Sequence, residues 1–248
     1  MTLFVFLLLA HLIADFYLQR KPWIDCKIKN KEKSPGLFKH ILTHLVLNSI
    51  VLYTFLGINL LSISVLLVII LTHYAIDIWK TYQGFHLKSF LLDQCGHMII
   101  LALVSAYIAN PNVSEWQAYA SDFIHLHHLI ILATFLFAWR PLSLIIQLIL
   151  SPYTSIMIDK QDTKPGLPFA GEWIGILERF LIIVFVLLGQ FAGVGFLLAA
   201  KSVFRFGDMR REKDRQLTEY IMLGTLYSFT FAILLGILAK HVLTLAYA

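Results

Sequence analysis

The sequence predicts an all-α fold, a polytopic membrane helical bundle of seven or eight transmembrane helices, and three observations predict it. Apolar residues make up 58% of the 248 residues against 14% charged, and mean hydropathy is +0.75, outside the range of a water-soluble globular domain. Apolar segments long enough to cross a bilayer run over 2–19, 37–58, 60–80, 89–109, 124–150, 171–190, 191–206 and 217–245. Lys and Arg concentrate in alternate connections between these segments, which is how helices are oriented in a membrane.

Taken in order, the first segment has no basic stretch before it and no small-residue cleavage pattern after it, so it reads as a retained span. Residues 20–39 follow, with Arg20, Lys21, Lys27, Lys29, Lys31, Lys33 and Lys39 against Asp25 and Glu32, and read as a cytoplasmic loop. Alternation places 81–88, 151–170 and 201–216 on the same side. The opposite connections, 57–62 and 110–123, carry no Lys or Arg. The expected protein is therefore a multi-pass protein of the bacterial inner membrane with its N terminus outside. Trp139-Arg140-Pro141 interrupts the fifth segment, either kinking one long helix or splitting it. Gly189-Gln190-Phe191-Ala192-Gly193 joins the sixth and seventh as a tight hairpin or a single long rod.

Two parts are expected, a four-helix membrane bundle over 1–110 and further membrane helices over 111–248 with a basic cytoplasmic loop. The net charge of +5 comes largely from the short basic loops, so no nucleic-acid partner is expected. The lipid bilayer is the expected partner, with anionic head groups at the 201–216 loop. Cys26 and Cys95 are too few for a disulfide framework or a Cys-x-x-Cys metal motif.

The chemistry is carried by a spacing that recurs in the first hundred residues. His11 and Asp15, His40 and His44, His73 and Asp77, and Asp93 and His97 are each four apart, which puts both side chains of a pair on one helix face. Counted from the basic residues at each helix end, all four pairs lie within roughly 13 Å of the cytoplasmic face at 1.5 Å per residue. Ionisable groups at that depth cost several kcal/mol each unless they face the interior and find partners. The eight groups include no cation other than a protonated His, so a divalent metal is the most favourable partner, and imidazole with carboxylate suits Zn, Mn or Fe. Eight ligands exceed the need of one ion: either two ions bind, or some groups orient others. Gln19 and Asn48 extend the same faces as orienting groups or as ordinary interhelical hydrogen bonds, and Gln94 flanks the site as a further orienting group. Lys80 reads as an interfacial anchor. A single His-x3-Asp pair is more often a hydrogen-bonded pair than a metal site, and a proton or ion relay uses the same residue types.

The second half holds Glu172, Glu178, Arg179, Lys201, Arg205 and Glu219 toward the same side. Ion pairing of Glu178 or Glu219 with Lys201 or Arg179 accounts for them; alternatively Lys201 and Arg205, one turn apart, hold a substrate anion beside the metals. His125, His127 and His128 read as a polar cluster near the outer face.

His11-Leu-Ile-Ala-Asp15-Phe-Tyr-Leu-Gln19, His73-Tyr-Ala-Ile-Asp77-Ile-Trp-Lys80 and Asp93-Gln94-Cys-Gly-His97 resemble the signature of a bacterial integral-membrane family, the domain of unknown function 3307 type. The resemblance covers roughly residues 1–110. The segments around Glu178-Arg179, Lys201 to Arg205 and Glu219-Tyr220 resemble the C-terminal part of its longer members. In spacing and setting alone, the pattern is also similar to small inner-membrane proteins described as metal-dependent hydrolases. From the metal reading of the eight residues, the expected function is hydrolysis of an ester or phosphoester by a water that the metal activates. The alternatives are an ion- or proton-coupled transporter, and a structural or signalling module stapled by its metal.

Overall fold

Every described element is a helix, as the apolar segments predict, and no strand occurs among the described residues. The structure, a computed structural model, describes residues 1–108, 126–158, 170–206 and 212–247. His125 and the 110–123 connection lie outside the described residues, as do 207–211 of the basic loop. The chain divides into two units, Met1–Ala133 and Thr134–Ala248.

In the first unit α1 (Thr2–Ile13) runs into a π-helical turn, Ala14–Leu18, closed by the Gln19 N–H on the Ala14 carbonyl at 3.0 Å. Such turns insert one extra residue per turn, and they concentrate at functional sites. The chain then bends by 89° into α2 (Lys21–Asn30) and a short 3₁₀ turn, Lys31–Lys33. This stretch, expected as a loop, is helical because Pro22 sits in the first turn, where its missing N–H costs nothing.

Ser34 caps α3 (Pro35–Leu56) by accepting the Leu37 N–H at 3.2 Å. Gly36 lets α2 and α3 touch: a Cβ there would lie 2.7 Å from the Trp23 carbonyl oxygen and 2.9 Å from its Cα. Asn59 and Ser62 form a reciprocal cap at the start of α4 (Leu60–Gln83). After it comes α5 (Leu87–Ile108).

The four long helices are stratified. Leu3 and Leu7, Leu52, Phe55 and Leu56, Val65, Leu66 and Ile69, and Leu101, Val104 and Ile108 pack into one apolar layer. The four His/Asp pairs fill the other layer, toward the C-terminal ends of α1 and α4 and the N-terminal ends of α3 and α5. Outward-facing positions such as Ile50, Leu67, Leu71 and Leu103 are large, apolar and exposed, the pattern of a surface that meets lipid.

The second unit holds most of α6 (Leu126–Ile158), then α7 (Ala170–Leu187), α8 (Phe191–Phe206) and α9 (Glu212–Tyr247). Helix α6 is neither split nor interrupted at Pro141 but continuous through it and Pro152. Gly189, with φ of 74°, turns α7 into α8, so those segments form a hairpin rather than a rod. Ile182, Ile183 and Val186 of α7 pack on Phe229 and Ala232 of α9.

Among the described residues five helices are long and apolar enough to cross a membrane, or six if the bent α1–α2 pair is one span. The expected count of seven or eight also took in α7 and α8. Helix α7 carries Glu172, Glu178 and Arg179, and the apolar part of α8 is the short stretch Phe191–Val203. The protein is an all-α polytopic membrane bundle.

Candidate metal centre

All eight predicted side chains converge. Ligand atoms of His11, Asp15, His44 and His73 lie within 4.8 Å of one another, as do those of His40, His73 and Asp77, and those of Asp77, Asp93 and His97. The three groups share His73 and Asp77, so they form one continuous cluster across α1, α3, α4 and α5. The His rings pile face to edge and face to face, with centroids 3.7 Å apart for His44 and His73 and 4.1 Å for His73 and His97.

Asp15 sits at the centre. One of its carboxylate oxygens, Oδ1, is 2.8 Å from His44 Nε2, 3.4 Å from His40 Nε2 and 3.8 Å from His73 Nε2. The other, Oδ2, is 3.6 Å from His11 Nε2. The π-helical turn begins one residue before Asp15, so the backbone widens where its carboxylate must meet three other helices. Ligands of a tetrahedral ion with bonds near 2.0 Å stand roughly 3.3 Å apart, a spacing these distances bracket. The residues present therefore fit a metal ion.

Two of the three predicted orienting residues join the cluster. Gln94 is 3.3 Å from His11 Nε2 through Oε1, and its amide nitrogen donates to Asp15 Oδ2 at 3.2 Å and Asp93 Oδ2 at 3.0 Å. Asn48 donates to the His44 carbonyl at 2.8 Å and leaves its own buried oxygen without a hydrogen-bond partner. With His11, His44, His73, His97 and Thr72 it lines a cavity of about 10 Å³, room for one water-sized species. Gln19 does not join: its amide nitrogen is buried without a hydrogen-bond partner, because the π turn ends before it and the chain turns away.

The expectation that the cluster lacks a cation needs correcting. Lys27 of α2 reaches in and donates to Asp77 Oδ2 at 2.8 Å, with the Lys27 residue only 5% exposed. Lys80 is not merely an interfacial anchor; it donates to Asp93. The sequence signal for Lys80 was its three-residue spacing from Asp77 on one helix face. Lys27 had no such signal, because its approach depends on the bend after α1.

In the second unit Glu178, Arg179 and Lys201 find their partners within the unit. Lys201 donates to Glu178, the expected ion pair, so its charge already meets a carboxylate and is not free for an anion. The side chain of Arg205 lies outside the described residues, and Glu219 is exposed on α9. Arg179, the other cation of that expected pairing, bonds to neutral oxygens. It is buried and donates through Nε to the Ala138 carbonyl at 2.9 Å, and to the Ser228 and Ser143 hydroxyls. The reason is angular: adjacent helical residues point about 100° apart, so Arg179 faces α6 and α9 while Glu178 faces α8. The Ala138 carbonyl belongs to the turn that Pro141 crowds. His127 and His128 lie side by side, with Nε2 atoms 3.1 Å apart.

A family model described as a protein of unknown function, DUF3307, matches residues 3–127. Neither a curated protein nor a solved structure matches the chain. The matched stretch is half of the chain and contains all eight converging His and Asp residues, and this protein belongs to the DUF3307 family.

Proposed function

We propose that the first unit is a divalent-metal centre in a bacterial inner-membrane protein, its N terminus outside and its site toward the cytoplasm, and that the ion serves hydrolysis of an ester or phosphoester. The convergence of His11, Asp15, His44 and His73 from three helices carries the reading. Three imidazoles and a carboxylate suit Zn, Mn or Fe, and such an ion supplies a water of lowered pKa as nucleophile. The surrounding residues have definable work. Gln94 holds His11 and Asp15 in register, and the cavity beside the rings admits a water-sized species. The Lys and Arg bias of the connections supports the orientation.

A carrier built on the same groups would require a polar route onward through the bundle. What supports hydrolysis over carriage is the layer beyond the cluster, where Leu7, Leu52, Phe55, Leu66, Ile69 and Leu101 pack without an ionisable group among them.

Metal analysis of the detergent-purified protein, wild type against His44→Ala and Asp15→Asn, tests the centre. The expected result is stoichiometric metal in the wild type and at least about 100-fold weaker binding in both variants. Equal metal in all three would end the reading. Turnover of chromogenic phosphodiesters and esters, abolished by chelation and restored by metal, is the expected sign of the enzyme. Retained metal with no turnover across both substrate classes would leave a metal protein that is not this hydrolase.

A further inference from the structure

The three carboxylates of the cluster are not equivalent. Asp15 meets imidazoles and the Gln94 amide, whereas Asp77 and Asp93 each accept from a lysine. Two ammonium groups thus answer two carboxylates, and the remaining uncompensated negative charge is the one on Asp15. An ion beside Asp15 converts that local deficit into a small excess. A second ion in the same layer, with both lysines in place, would leave a strongly positive interior, which apolar surroundings oppose.

Ligand chemistry for a second ion is nevertheless built in. Asp77, Asp93 and His97 present ligand atoms within 4.8 Å of one another. Asp93 Oδ1 and His97 Nε2 are 3.4 Å apart, and both are buried without a hydrogen-bond partner, in residues 0% and 3% exposed. Buried polar atoms facing one another with unused bonding capacity are costly unless something joins them.

We propose that Asp77, Asp93 and His97 form a second cation site that Lys27 and Lys80 guard, so that the protein binds one divalent ion as it stands and a second only when lysine charge is withdrawn. The proposal rests on the metal centre at Asp15. The two guards differ in kind. Lys80 belongs to α4 itself, three residues from Asp77, while Lys27 arrives on α2 after the 89° bend. A second ion entering at Asp77 therefore displaces α2 from the bundle end, which couples occupancy to the position of that helix.

The test is Mn(II) loading of the full-length protein in detergent, read as bound ions per chain and by electron paramagnetic resonance. Wild type is expected to saturate at one ion with a mononuclear spectrum. Lys27→Met combined with Lys80→Met is expected to take two, with the broadened spectrum of a coupled pair. Lys80→Arg keeps the charge and is expected to stay at one. One ion in the folded double variant, or two in Lys80→Arg, would overturn the proposal. Should the double variant not fold, the wild type still decides: saturation at two ions overturns the guarded site while leaving the Asp15 centre intact. No ion in the wild type removes both.

Discussion

The two units bury charge in opposite ways. In the first, five imidazoles and three carboxylates from four helices are brought to one layer, and several of their atoms keep unused bonding capacity. In the second, Arg179 spends its donors on a carbonyl and two hydroxyls, and Lys201 closes on Glu178. Neutral oxygens around one guanidinium hold helices together; open lone pairs around shared carboxylates invite an ion. The difference teaches that intramembrane charge marks chemistry when it is left incomplete, and marks architecture when its neighbours complete it.

The contrast can be broken most severely at Arg179. Arg179→Ala should cost about 3 kcal/mol of stability, since it opens a cavity and takes their donor from the buried Ser228 hydroxyl and the Ala138 carbonyl. Unfolding in mixed detergent would measure that loss, and bound metal should be unchanged; metal lost in parallel would merge the two roles. Gln94→Leu makes the reverse cut. It removes the amide from His11, Asp15 and Asp93, and should weaken metal binding about 10-fold with a smaller effect on unfolding. Competition with a metal-binding dye reads it. A Gly236→Ala change should cost about 1 kcal/mol, because the new Cβ would stand 3.0 Å from Val186 and α7 must yield. The smallest effect is expected from Lys201→Met, under about 1 kcal/mol and shrinking as salt rises, because its pair with Glu178 is partly exposed. A large, salt-independent loss there would mean that the pair is shielded from solvent and holds the helices together as Arg179 does.

Much of the first unit was legible beforehand. Spacing of four within each apolar segment was enough to group His11 with Asp15 and His73 with Asp77, because helical periodicity is a local property. Agreement of depth was enough to gather four pairs into one layer, because rise per residue is constant. Gln94 was legible as a neighbour of Asp93 but not as the amide that joins His11 to Asp15, which requires α1 and α5 to lie side by side. Gln19 differs for a related reason: helical spacing carries it onto the Asp15 face, and the π turn shifts it from that register.

Hydropathy, spacing and charge bias by themselves determined that this is an all-α membrane bundle and which eight side chains gather in it, since those signals are written in a few neighbouring residues at a time. Only the tertiary structure decided which carboxylate is left without an ammonium partner. Asp77 and Asp93 meet lysines and Asp15 does not, and for Lys27 that outcome hangs on an 89° bend and on a glycine contact between α2 and α3. The net charge of a buried cluster depends on every group that reaches it through space, and fifty residues of chain separate Lys27 from the aspartate it neutralises.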